Sequence, residues 1–280
     1  MATYASPVFG ALPVASIDAP HIVRALEPIW DEKNETAARL RGRIEAVLNY
    51  AVAAKWRPPG ENPARWRGHL EIMLPSRSRR VEHHAALPWR EIGAFMADLR
   101  GREGISARAL EFAILTAARS GEVRGATWAE IDMAAKLWTV PEGRMKAGKE
   151  HRIPLSKQAV ELLSALPHVG DLVFPGSKVE KPLSDMSLTA VLRRMDRGDL
   201  TAHGFRSTFR DWAAESAVGH SFGREAAEHA LAHKLPDKVE AAYRRSDLLD
   251  RRAGLMQGWA DACSTPSTSA TVVPLRAAAG

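Results

Sequence analysis

His203 and Arg206 stand three residues apart, in a stretch, Ala202–Ser216, whose pattern predicts a helix that Thr201 is placed to cap. That spacing sets both side chains on one face of the first turn, where a helix N-terminus already favours an anion. Phosphate suits such a pair. Arg119, with Glu122 three residues on, sits where one helix gives way to the next. Lys146, flanked by Arg144 and Lys149, falls between Gly143 and Gly148. His233 ends a helix, and Tyr243, one of three tyrosines, follows ten residues later. Taken singly, each has an ordinary explanation: a surface Arg beside a capping Glu, a solvated loop, an amphipathic helix. His229 and His233 are four residues apart, a zinc-ligand spacing, but Ala230 stands where such a helix carries its glutamate. His229 reads as a surface histidine. With no GxxxxGK[ST] loop and no paired cysteines either, neither a metal nor a nucleotide cofactor is expected.

The elements that must position these residues follow from periodicity. Leu110, Ile114, Leu115 and Ala118 make a helical stripe that Ser106 could cap, and a new helix begins at Ser120. Leu137–Val140 and His151–Leu155 read as two strands of a hairpin with Lys146 in its long tip. Further helices are expected around Lys157–Leu166, Ser184–Met195, Ala202–Ser216, Gly223–His233, Asp237–Arg245 and Leu248–Ala262. Five of the eight tryptophans, Trp66, Trp128, Trp138, Trp212 and Trp259, are expected in core or edge packing.

Upstream, Met1–Pro20 carries four breakers and reads as an irregular lead-in. A helical pattern begins at Asp31, with Asn34 as N-cap and Leu40, Ile44, Val47, Leu48, Ala51 and Val52 on its buried face. Pro75–Arg80 lacks periodicity and reads as a linker. The expected division is 1–78, a small helical domain; 79–263, a larger one; and 264–280, a disordered tail. The fold class is mainly α with a small antiparallel β-sheet.

Charge narrows the partners. The net +6 of the 280 residues is concentrated: between Arg39 and Arg80 ten basic residues face three acidic ones. Arg39, Arg41, Arg43, Arg65 and Arg67 are the candidate contacts to a polyanion, although a solvated helix face would carry the same charges. No apolar run reaches 18 residues, no Lys or Arg precedes Arg24, and Cys263 is the single cysteine. These features favour a reducing, non-membrane compartment.

In order, Arg119-Ser120-Gly121-Glu122, Lys146, His203-x-x-Arg206, Leu231-Ala232-His233 and Tyr243 resemble the catalytic signature of the tyrosine recombinases, the phage integrase family. Pro28-Ile29-Trp30, Glu35-Thr36-Ala37, Arg41-Gly42-Arg43-Ile44-Glu45 and Asn62-Pro63-Ala64-Arg65-Trp66 resemble the core-binding domain of prophage integrases of the satellite-phage type. The likeness spans residues 7–262.

The resemblance implies strand cleavage at a DNA phosphodiester. Arg119 and Arg206 would stabilise the phosphorane, since rigid guanidinium forks donate paired, charge-assisted hydrogen bonds. Lys146 would be the general acid, His203 the base, His233 a donor to the phosphate, and Tyr243 the nucleophile of a 3′-phosphotyrosyl intermediate. Glu122 would orient Arg119 or His203. The implied partner is double-stranded DNA at attachment core sites, met by a tetramer on paired sites and a monomer when free. The implied setting is the bacterial cytoplasm at the nucleoid. Integrases of this type also carry an arm-binding domain and a four-helix core-binding domain. Here the likeness starts partway into the second, so a missing first helix is expected. A DNA-binding remnant without productive recombination is therefore the alternative, and a type IB topoisomerase fits the matched segments less well.

Overall fold

The computed structural model describes residues 1–74, 85–146, 148–178, 180–233 and 247–265. The chain divides into two compact units, residues 1–82 and 83–280.

The first unit is helical: α1 (Ser6–Phe9), α2 (Ala19–Trp30), α3 (Asn34–Ala53) and the single turn α4 (Glu71–Met73). Asp18 starts α2 by accepting the His21 N–H at 3.3 Å, and Pro20 sits in the first turn, where its missing N–H costs nothing. Ile22, Ala25, Leu26 and Ile29 then face Ala37, Leu40, Ile44 and Leu48 of α3 in one core. Trp30 meets Trp66 with ring centroids 5.5 Å apart. The irregular lead-in expected up to Pro20 is thus corrected: α1 and a 3-10 turn (Val14–Ser16) precede α2. Pro28, inside α2, removes one backbone bond without ending the helix. Two details of α3 also differ from expectation. Lys33, not Asn34, is its N-cap, and Val47 is half exposed rather than buried. The linker expected at Pro75–Arg80 lies outside the described residues.

The second unit wraps around α6 (Ile105–Thr116), which is buried from Ala107 onward apart from Arg108. Its remaining helices are α5 (Ile92–Arg100), α7 (Ser120–Arg124), α8 (Lys157–Ser164), α9 (Ser187–Arg194), α10 (Gly204–Glu215), α11 (Ala217–Ser221), α12 (Gly223–Ala230) and α13 (Leu249–Ala262). Gly104 at φ +94° precedes α6, and Ser106 lies within it, so the expected serine cap is corrected. An antiparallel sheet runs β1 (Ile131–Asp132), β2 (Leu137–Val140), β3 (His151–Pro154). The hairpin pairs Trp138 with Ile153 and Val140 with His151. β1 is an additional strand, too short to carry a period-2 signal. Trp138 packs on Phe112 at 5.2 Å between ring centroids. Trp259 of α13 donates its indole N–H to the Ile114 carbonyl at 2.8 Å and packs on Phe209 and Trp212. The architecture is the expected one, mainly α with a small antiparallel sheet.

Candidate active site

Three junctions between helix and loop converge in the second unit. At the first, the Arg119 N–H donates to Glu122 Oε2 at 2.9 Å, and the Arg119 guanidinium donates to Glu122 Oε1 at 2.8 Å. Glu122 is buried, so its carboxylate fixes one edge of the guanidinium. The other edge of Arg119 reaches the carbonyls of Leu231 and Ala232, each at 3.4 Å.

At the second junction, Gly204 lets the start of α10 press against the chain. A Cβ there would lie 2.3 Å from the Ala85 carbonyl. Thr208 adds a hydrogen bond to the Leu87 carbonyl at 2.7 Å. One turn in, Arg206 is 5% exposed. It donates to the Ala117 carbonyl and, at 2.5 Å, to that of Leu231. Among the described residues its buried Nε has no hydrogen-bond partner. Burial, and then the Arg119 charge, lower its pKa to about 10 against the pull of Glu122, so it stays a cation at neutral pH.

The third junction is the end of α12. Ala232 takes a left-handed conformation (φ +48°) and turns the chain back. His233 Nδ1 then meets Glu228 Oε2 at 2.7 Å, and its Nε2 lies 3.5 Å from the Arg206 guanidinium. Glu228 also pairs with Arg210 at 3.1 Å. Glu228 thus holds the ring through Nδ1 and leaves Nε2 on the side of the Arg206 guanidinium.

Arg119, Glu122, Arg206 and His233 are thus brought together. Lys146 is exposed in the hairpin loop, just past an anchored stem in which Met145 is buried. Arg144 bonds Glu130 and the Glu122 carbonyl there. His203 is exposed at the N-terminal boundary of α10, with the Gly204 N–H bonded to Thr201 Oγ1 at 3.0 Å. Tyr243 and the helix expected at Asp237–Arg245 lie outside the described residues. His229 is half-buried, not a surface residue.

Two participants escaped the sequence reading. Glu228 is five residues before His233, a spacing no helix face predicts, and only the Ala232 turn brings them together. His151, in β3, sets Nε2 3.3 Å from the Ala230 carbonyl. Burial, followed by the Arg252 charge, lowers its pKa to about 4, so it is neutral at pH 7. Its only sequence signal was a place in a strand. Among the described residues no three His, Cys, Asp or Glu side chains group as metal ligands.

The basic segment of the first unit is not uniform. Arg43 and Arg67 are exposed, as is Arg39, which pairs with Glu35. Arg41 is held between Glu45 (2.6 Å) and the Ala64 carbonyl (2.7 Å), and Arg65 pairs with Glu61 at 3.1 Å.

A mainly helical domain with a small antiparallel sheet and a cluster of two arginines and a histidine defines a class, and sequence comparison names it. Residues 89–248 match the phage integrase family and residues 1–69 the phage integrase central domain. The chain belongs to the phage integrase family. It is 30% identical to the integrase of Enterobacteria phage P4, over 92% of this chain and 62% of that protein. It is 32% identical to prophage integrase IntZ of Escherichia coli K12, over 91% and 62%. The chain therefore spans about 62% of the length of these relatives. In fold it is similar to a lambda integrase (75–356) dimer bound to a COC′ core site, with a TM-score of 0.58, 19% identity, and 80% and 81% of the two chains covered. A lambda integrase tetramer bound to a Holliday junction gives 0.56 at 20% identity, over 80% and 66%. No described helix is long and apolar enough to cross a membrane.

Proposed function

We propose that this chain is a tyrosine-type site-specific recombinase that cuts and rejoins double-stranded DNA through a 3′-phosphotyrosyl bond to Tyr243. The observation that carries the reading is the convergence of Arg119, Arg206 and His233 on the end of α12. A buried Arg206 and a partly buried Arg119 in fixed orientation, with the Arg206 Nε–H unpartnered among the described residues, complement an anion rather than each other. A phosphodiester under attack gathers charge on its non-bridging oxygens. Arg119 and Arg206 bind those oxygens, and His233 donates a further hydrogen bond. Tyr243 attacks phosphorus, the Tyr O–P bond forms as the P–O5′ bond breaks, and Lys146 gives its proton to the leaving 5′ oxygen. His203 takes the phenol proton. Rejoining runs the same steps in reverse. The scheme requires no metal or cofactor, because side chains supply all of the charge.

The same reading makes the substrate attachment core sites, the working assembly a tetramer on paired sites, and the free chain a monomer. It places the protein in the bacterial cytoplasm, at the nucleoid, and divides the chain at 1–78, 79–263 and 264–280. The test is incubation with nicked core-site duplex, followed by a denaturing gel. A covalent protein–DNA band that Tyr243→Phe abolishes, with DNA binding kept, supports the proposal. Binding without any band from the unaltered chain favours the DNA-binding alternative.

A further inference from the structure

Strand β3 carries, directly after His151, a residue tied to the far side of the segment that holds Tyr243. Arg152 donates from Nε and Nη2 to Asp247 Oδ2, at 2.9 and 2.6 Å. Arg252 of α13 closes the arrangement from beneath. Its Nε donates to the Asp247 carbonyl at 2.7 Å and its Nη1 to the Arg152 carbonyl at 2.5 Å. Its Nη2 stands 3.2 Å from Asp247 Oδ2. Arg252 is 1% exposed.

A guanidinium buried this deeply costs several kcal/mol of desolvation, and an apolar side chain of similar size would stabilise α13 as well or better. The Arg152–Asp247 pair is about 40% exposed on each side, where ion pairs contribute little to stability. Stability therefore does not account for the arrangement. Its geometric result is specific: the backbone at 247 is fixed to the backbone at 152. On the other side, His151 holds the Ala230 carbonyl and Arg206 holds that of Leu231. Adjacent residues of one strand thus fix the chain just before residue 234 and just after residue 246. Tyr243 lies four residues from Asp247, so the extended chain allows them at most about 14 Å of separation.

We propose that Arg152, Asp247 and Arg252 form a clamp that positions Tyr243 for attack on the phosphate held by Arg119 and Arg206. They are positioning residues, not groups that touch the DNA phosphate. The inference rests on Tyr243 being the nucleophile.

The experiment measures covalent adduct formation by the full chain on nicked core-site DNA, at saturating DNA, alongside DNA affinity and melting temperature. Misplacing a reactant by an ångström costs about 100-fold, so Arg152→Ala and Asp247→Ala should each slow adduct formation about 10- to 100-fold. Affinity and melting temperature should stay near those of the unaltered chain. The double variant should be no slower than the slower single one, since the pair acts as a unit. An unaltered rate at saturating DNA, or a loss confined to affinity, overturns the clamp. If Asp247→Ala melts early, Arg152→Ala, whose side chain is half exposed, decides the question. Tyr243→Phe runs in parallel. Persistence of its adduct, or no adduct from the unaltered chain, overturns the nucleophile reading itself, and the clamp with it. Loss of the Tyr243→Phe adduct beside unslowed clamp variants overturns the clamp alone.

Discussion

Arg119 and Arg206 both donate to the carbonyl oxygen of Leu231, at the C-terminal end of α12. Two like charges this close repel, and the helix end answers this with the negative pole of its dipole. The shared carbonyl also keeps the two guanidinium groups beside each other. The remaining donors are left for a ligand. Arg206→Lys keeps the charge but loses the fork, and a single ammonium cannot hold both Ala117 and Leu231 while facing a phosphate. We expect adduct formation at saturating DNA to fall about 100- to 1,000-fold, as for loss of a transition-state donor. The melting temperature should drop by only a few degrees. A rate within threefold of the unaltered chain would remove Arg206 from the proposed chemistry.

His151 makes the second unit sensitive to acid. Its pKa is about 4 in the fold against an ordinary 6.5, because burial and the nearby charges of Arg252 and Arg119 oppose protonation, with Glu122 pulling the other way. A lowered histidine pKa means that the unfolded chain binds the proton first. The contribution of His151 is therefore complete above about pH 6.5 and is lost as the pH falls toward 4. It amounts to at most about 3 kcal/mol. His151→Gln keeps a donor for the Ala230 carbonyl and does not titrate. Its melting temperature should fall less steeply between pH 6.5 and 4 than that of the unaltered chain. Parallel slopes would mean that other groups carry the acid sensitivity.

How much of this was legible in the sequence depends on the range of each interaction. The starts of α7, β2 and β3 were legible because capping, alternation and turn residues act within a few positions. The i, i+3 spacing put Arg206 in the first turn of α10, and there it is. The same local logic failed at α2, where Asp18 and Pro20 mark a start but were outweighed by the density of prolines around them. Glu228 and His151 were not legible at all. Glu228 depends on a left-handed turn at an alanine, a residue that rarely adopts one, and His151 on a contact 79 residues along the chain. Likewise the sequence offered five equivalent arginines in the basic segment. Only the fold separates Arg41, tied down by Glu45 and Ala64, from Arg43 and Arg67, which are exposed.

That separation yields a prediction about DNA binding. Exposed arginines release counterions when they meet phosphates, and each contact adds about −0.9 to the log–log salt slope on duplex DNA. The triple variant Arg39→Ala, Arg43→Ala, Arg67→Ala should flatten the slope by up to about 3, with the melting temperature barely changed. Arg41→Ala should behave in the opposite way. It leaves the Ala64 carbonyl without its donor and costs about 1–3 kcal/mol of stability, with little change in slope. Fluorescence anisotropy over a salt series checks both. An unchanged slope in the triple variant would make the basic segment a solvated face.

The last prediction concerns α13. A stripe of Leu255, Met256 and Trp259 after the proposed nucleophile could pack within its own subunit or dock on a neighbour. All three are buried in the core of the second unit, and the Trp259 indole N–H is taken by Ile114 of α6. Deleting a large buried aromatic side chain costs about 3–5 kcal/mol, and here the Ile114 carbonyl would also lose its side-chain donor. Trp259→Ala should therefore lower the melting temperature by roughly ten degrees or more, through the loss of the Phe209 and Trp212 contacts. It should do so without DNA and at any protein concentration, since no second subunit is involved. Truncation after Arg252 removes the whole stripe and should leave a chain without a cooperative transition. Circular dichroism melts over a hundredfold range of concentration test this. A truncated chain that melts cooperatively and only loses assembly on DNA would show that the stripe works between subunits instead.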